Sequence, residues 1–338
     1  MPQHSKIDSL IQCQLSINIW TNVYGVARSI LGLSTLLTLL TNDIHVLFRP
    51  YAGGPDSCIS CTSISSFSIF CLMSLKTAKW ISIFILIFVV SGLYPRITAL
   101  FHAWVTTSLM NSAILVDGGD QVTTVLSVLI VPIAMTDSRT WVWQRPCSQV
   151  ISISDYSKIK LMIAHSAWLV IRLQVALIYF EACVGKFKTT EWVNGTAIYY
   201  WVTNAQFGLS EKILHLFLPL LSNPVFVVSV TWGVMIFEAL LALGICIDNR
   251  YWKKLLAAGL VFHFFIFLVH GLPTFFLAMC SALLLYLRRP DQIFQLHWPR
   301  VSNPFLSKFF RRFASDRSTD ADQKPSVAEE IGIAAAKK

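Results

Sequence analysis

Apolar residues run through this chain in long blocks, broken by short polar clusters rich in Gly, Pro, Asp and basic residues. A helix that crosses a bilayer needs roughly 20 mostly apolar residues. Eight blocks approach that length: 22–40, 80–93, 97–116, 122–135, 164–184, 225–247, 255–269 and 273–287. The second and fourth are short, which suits extension, tilt or a partly re-entrant path. The breaks carry turn chemistry. Gly118 and Gly119, flanked by Asp117 and Asp120, separate the third and fourth blocks; Gly271, Leu272 and Pro273 join the last two; Arg288, Arg289 and Pro290 end the series, since proline cannot continue a helical hydrogen-bond ladder. The pattern predicts an all-α, polytopic transmembrane bundle of about eight spans. The first apolar block lacks a small-x-small cleavage site and reads as a signal anchor. The organisation expected is an N-terminal segment over 1–21, a membrane domain over 22–290 and a tail over 291–338.

Composition agrees with the pattern. Of 338 residues, 55% are hydrophobic and 13% charged, where soluble domains carry about 25% charged residues. The mean hydropathy is +0.60. A soluble enzyme, a disordered chain and a secreted disulfide scaffold are all excluded on this basis. The net charge of +9 would suggest nucleic acid in a soluble protein. Here its distribution is a topology signal. With eight crossings, nineteen Lys and Arg fall on the side of both termini, ten of them in the tail, and six on the other side. Basic residues collect in cytoplasmic loops, so both termini are expected in the cytoplasm, the protein in the cell membrane, and the stretches 42–79 and 185–224 outside. In the tail, Phe305, Phe309, Phe310 and Phe313 mix with Lys308, Arg311 and Arg312, a composition suited to an anionic leaflet. Beyond Ala314 the chain is polar and is expected to be disordered. No internal repeat of transporter type is visible.

The first outer stretch holds Cys58 and Cys61 in a CxxC spacing, with Cys71 ten residues further on. One CxxC supplies too few ligands for structural zinc, and a thioredoxin-like use needs a βαβ context. A structural disulfide is the simplest use outside the cell; redox activity and unpaired thiols remain alternatives.

Ionisable residues inside spans are costly and mark functional candidates. The fifth block is the richest. Arg172, Tyr179 and Lys186 are spaced by seven and share one helix face, while Gln174 and Glu181 share a second. Lys186 stands at the outer end, where a half-buried amine can act as a base or simply snorkel to the interface. His263 and His270 in the seventh block are also seven apart. They suit metal, proton transfer or core hydrogen bonds, and the spacing alone does not choose; no further metal ligands are evident, so no metal site is assigned. His102 and Glu238 are similar lone polar groups in spans three and six. Asp117 and Asp120 suit a capped turn or an anchor for a basic partner.

Tyr179, Phe180, Lys186, Glu191, Trp192 and Gly195 together resemble the conserved membrane segment of the vitamin K-dependent γ-carboxylases, members of the HTTM membrane superfamily. Lys186 falls on the catalytic lysine of that pattern, and Trp192 and Gly195 on its Trp and Gly, with about one residue inserted. Further blocks resemble a bacterial branch, the SdpB-like proteins: 22–31, Asp117 to Gln121, Asp137 to Trp141, Trp192 to Tyr200, and His263 with Gly271 to Phe275. The resemblance implies an HTTM-like fold and a role in maturing a secreted bacterial peptide toxin. It also implies a peptide precursor as substrate and a small SdpA-like partner protein. From the carboxylases it implies Lys186 as a base acting on a quinone, a hydroquinone or the peptide itself. His263 is a second catalytic candidate, and Arg172, Tyr179, Glu181, Trp192, Gly195, Asp117, Asp120, His102 and His270 are candidate substrate or structural residues. The carboxylases carry a large soluble domain after the membrane part. Here a short tail follows, so recognition of the substrate by that route is not expected, and a separate partner would supply it. A non-catalytic factor that assists export or folding of the precursor uses the same spans without needing a base.

Overall fold

The computed structural model describes residues 17–48, 61, 63–144 and 155–294. Cys58, the basic-aromatic tail segment and the polar C-terminal stretch lie outside these residues. The described part is helical, with a single isolated bridge between Leu93 and Trp141.

Eight long helices occupy the eight apolar blocks: α1 (Asn22–Thr41), α2 (Leu75–Ser91), α3 (Pro95–Ser112), α4 (Gly118–Thr136), α5 (Asp155–Lys186), α6 (Pro224–Ala242), α7 (Trp252–His270) and α8 (Pro273–Leu287). Their ends follow local chemistry. The Thr21 hydroxyl accepts from the Val23 amide at the start of α1. Pro95, Pro224 and Pro273 occupy first turns, where a missing N–H costs nothing. Asp117 and Asp120 form a reciprocal capping box on α4. Two helices outrun their apolar blocks. The second begins at Leu75, five residues before Trp80, because Ser74 caps it. The fifth begins at Asp155 and has 32 residues, about 48 Å at 1.5 Å per residue, against a hydrocarbon core of about 30 Å.

Five helical stretches are long and apolar enough to cross a membrane: Asn22–Thr41, Gly118–Thr136, Tyr156–Lys186, Pro224–Ile245 and Asn249–His270. Pro273–Leu287 is apolar but shorter. The connections sort to two ends of the bundle. At one, the Lys79 ammonium donates to the Asn42 carbonyl (2.8 Å), the Ile114 amide to Leu47 (2.9 Å) and the Thr274 hydroxyl to Asp117 (3.1 Å). At the other, the Arg96 guanidinium donates to the Asp137 carbonyl (2.6 Å) and the Thr21 hydroxyl to Pro290 (2.6 Å).

The core lies where α1, α4, α5 and α8 meet. Every residue of α8 from Ala278 to Leu287 is buried. A helix that is apolar all round can be a membrane span or a buried core element, and α8 is enclosed by protein at this level. Close approach is built in at Gly119, where an added Cβ would lie 2.6 Å from the Phe275 backbone.

The disulfide differs from the expected CxxC closure. Cys61 is bonded to Cys71, so its sulfur is not available to Cys58. Cys71 lies on the short helix Ile69–Leu72, whose Ile69 and Phe70 are buried against Leu47 and Phe48. The Ser68 hydroxyl pins that helix to Ser112 on α3 (2.7 Å). This anchoring presents the Cys71 thiol to the chain at Cys61, a closure that a two-residue spacing does not reveal.

Candidate functional site

The predicted face of α5 carries three polar groups, and each reaches a different helix. The Arg172 Nε donates to the Tyr286 carbonyl on α8 (3.0 Å). The Tyr179 hydroxyl pairs with His263 Nε2 on α7 (2.8 Å). Lys186 Nζ meets both carboxylate oxygens of Glu238 on α6, each at 2.7 Å. The spacing of seven that put these residues on one face therefore also makes that face the seam joining α5 to the three last helices.

Lys186 does not run outward from the end of α5. Its amine turns back one helical turn and donates to the Ala182 carbonyl (3.2 Å). The side chains of Lys186 and Glu238 retain 18% and 8% of their exposure, so the pair is largely withdrawn from solvent. An ammonium has three N–H donors, and here two go to the carboxylate and one to the carbonyl. In this arrangement every N–H of the ammonium is engaged, and the carboxylate within reach of its protons is that of Glu238.

Trp192 forms the floor. Its ring centroid is 5.0 Å from Lys186 Nζ, a cation–π distance. The residue is buried in a small cluster with Ala197 and Met235. Gly195 permits the turn that brings Trp192 underneath: its φ is +77°, and an added Cβ would lie 3.2 Å from Val228. Trp192 thus sits beside the lysine, while Gly195 faces Val228 and Trp232 on α6.

His263 and Tyr179 are buried deeper. The imidazole lies edge-on to Phe262 (5.0 Å) and Phe275 (5.6 Å). Its Nδ1 has no hydrogen-bond partner among the described residues. A Tyr–His pair can pass a proton between hydroxyl and ring nitrogen. The site is therefore two donor–acceptor pairs made from one face of α5, Lys186–Glu238 and Tyr179–His263, in an aromatic setting.

Other expected residues lie elsewhere. His270 does not join His263; its Nδ1 contacts the Phe207 carbonyl (2.7 Å) and its ring packs against Trp201. Seven residues share a face but stand two turns apart, and each histidine meets a different neighbour. Glu181 is exposed on the outer face of α5, away from the seam. His102 is buried in α3, and its Nε2 has no hydrogen-bond partner among the described residues. Asp117 and Asp120 fasten helix ends: the Thr38 hydroxyl of α1 donates to Asp120 (3.0 Å), and the Thr274 hydroxyl of α8 to Asp117 (3.1 Å). Glu238 was legible only as a lone acid in a span. A carboxylate there requires a cation or a proton, and that requirement was the available signal for its pairing.

The helices and this buried polar seam define the class: a polytopic α-helical membrane protein with an ion pair and a Tyr–His pair between its fifth helix and its later ones. Over 286 residues, 83% of this chain and 85% of the relative, the sequence is 37% identical to the sporulation-delaying protein SdpB of Bacillus subtilis (strain 168). It is also 37% identical over 289 residues, 84% of this chain and 90% of the relative, to the uncharacterized protein YitO of the same organism. The chain belongs to the SdpB family. No family model matches it, and no solved structure is similar.

Proposed function

We propose that this protein serves the production of a secreted bacterial peptide toxin, and that the Lys186–Glu238 pair beside Tyr179–His263 is where it acts. The observation that carries the reading is that pair: a lysine and a carboxylate, both oxygens engaged, half-buried at the end of α5 in a relative of a sporulation-delaying protein. With eight crossings and both termini in the cytoplasm, the topology that the distribution of basic residues suggests, the site faces the outer half of the cell membrane, where a secreted precursor passes. A peptide precursor and a small SdpA-like protein are the partners. Lys186 delivers or takes up a proton through Glu238, and Tyr179 with His263 relays it. Such general acid–base help is worth roughly 10²–10⁴-fold in rate.

The HTTM, carboxylase-like reading is the finer version of this proposal. It is supported by Trp192 lying beside the lysine, with Gly195 at the turn that follows it. An aromatic wall with Tyr179, His263 and Lys186 as hydrogen-bonding groups has the chemistry to hold a quinone or hydroquinone ring. Bound there, such a ring would supply two-electron chemistry.

The committed amine favours a second reading, in which the pair is a structural clamp and the protein is an export or folding factor. Mass analysis of the secreted peptide separates the two. With Lys186→Ala or Glu238→Gln, inserted and expressed at normal levels, the catalytic reading expects unmodified, inactive peptide. Fully mature, active peptide from inserted Lys186→Ala protein would overturn it. A carboxylase-like step would appear as a carbon dioxide mass gain that depends on Lys186.

A further inference from the structure

A cavity with basic and aromatic residues in a largely apolar lining lies at the opposite end of α5, apart from the Lys186 site. It has a volume of about 290 Å³, close to the lower limit of small-ligand sites of about 300 Å³. Among its lining residues are His165, Trp168, Arg172, Trp252, Arg288 and Arg289, and no carboxylate among the described residues lines it. The bases come from three parts of the fold: α5, the end of α8 and the chain just after it. The tryptophans come from α5 and α7.

The cations here are under-neutralised. Arg172 is stacked on the Trp252 ring (4.2 Å), and its only hydrogen bond among the described residues is from Nε to the Tyr286 carbonyl. One of its terminal nitrogens is buried without a partner. Arg288 donates only to the Gln292 carbonyl (2.8 and 3.0 Å) and stacks on Phe294 (3.7 Å). Neither has a carboxylate among the described residues. Arg289 alone is paired, with Asp291 at 2.7 Å on the exposed side. His165 is held by the Ile17 carbonyl (3.0 Å). Guanidiniums bonded only to carbonyls retain their full charge, and a planar fork of donors matches phosphate oxygens. Aromatic rings at the level of the bilayer interface are typical of headgroup contact. The end concerned is the one where Thr21 and Pro290 meet, the end that the charge count assigns to the cytoplasm.

We infer that this cavity binds a phosphate group, with Arg172 and Arg288 as its ligands and Trp168 and Trp252 as its walls. The group is carried by an anionic phospholipid headgroup or by a soluble phosphate compound. Lipid bound there would tie α5, α7 and α8 together at their inner ends.

The test is thermal unfolding of the full-length protein, purified in neutral detergent and titrated with dioleoylphosphatidylglycerol, dioleoylphosphatidylcholine or inorganic phosphate. The expected result is a rise in midpoint with the anionic lipid and none with the zwitterionic one. Arg172→Gln and, independently, Arg288→Gln should each require about tenfold more anionic lipid for the same shift, the worth of one charge-assisted hydrogen bond. A rise with inorganic phosphate that both variants weaken would keep the phosphate site and make its ligand soluble. Equal shifts with both lipids, or unaltered titrations in whichever of the two variants folds, would overturn the proposal.

Discussion

The two parts of this bundle treat polar groups differently. In an apolar 18-residue stretch of α1 and of α4, 61% and 50% of the residues are buried; in those of α5, α6 and α7 the shares are 28%, 28% and 22%. The first part is packed protein against protein. Most of its buried polar residues fasten neighbours through hydroxyls and helix caps, as Thr106 does to Ser127 (2.7 Å) and as Thr38 does to Asp120; the charged exceptions are Arg28, bonded to Thr98, and the Asp137–Arg139 pair at the end of α4. The later helices present broad apolar flanks, among them Leu169, Leu173, Leu177, Ile236, Val261 and Phe265, and meet α5 through a thin seam of ionic and imidazole contacts. Lipid tails are as apolar as leucine, so packing in this part draws little from the hydrophobic effect. Its polar links have more to do. The lesson is that similar hydropathy covers a scaffold held by many small contacts and a seam held by a few strong ones.

Substitutions can break this contrast. The largest expected effect is Glu238→Ala. It leaves the Lys186 charge half-buried and unpaired, and removing one partner of a buried pair costs about 3–5 kcal/mol. Residual exposure at Lys186 puts the expectation near the lower end, read as a lowered unfolding midpoint in detergent. The double change Lys186→Met with Glu238→Leu should recover most of that loss, since no charge is stranded, while toxin production stays absent. Recovery of both stability and toxin would make the seam purely structural.

Gly119→Val comes next. The new side chain meets the Phe275 backbone, and overpacking of this kind costs about 1–3 kcal/mol. Toxin output should then fall only in proportion to the folded protein remaining in the membrane. Tyr179→Phe removes the hydroxyl from His263 and leaves a buried ring nitrogen unpaired, a loss of about 1–2 kcal/mol. Here toxin output should fall further than protein level does. The smallest is Asp117→Ala, which removes one cap and one Thr274 contact for about 1 kcal/mol; a thermal melt should show it with toxin production intact. If Tyr179→Phe and Asp117→Ala behaved alike, the distinction between seam and scaffold would fail.

Much of the fold was legible because helices are local. Apolar blocks of the right length, Asp117 and Asp120 around two glycines, and prolines at first turns act over one or two turns, and the helices follow them closely. The shortness of the second block allowed for the extension of α2; that of α5 was missed because Asp155, Lys158 and Lys160 interrupt hydropathy without interrupting hydrogen bonds. The site was half legible. Lys186, Tyr179 and Arg172 on one face, with Trp192 and Gly195 after them, could be read from spacing and resemblance. Glu238 as the partner of Lys186 could not, nor the separation of His263 from His270.

The sequence alone determined that the chain forms apolar helices, where most of them start and stop, and which residues of α5 share a face, since these follow from hydrogen bonds and side-chain directions repeating every few residues. Only the tertiary structure decided who meets that face, which cysteine closes on Cys61, and that α8 is enclosed by protein where it might have faced lipid. Those outcomes depend on how neighbouring helices are rotated and tilted, and an apolar surface reads the same in sequence whichever apolar neighbour it meets.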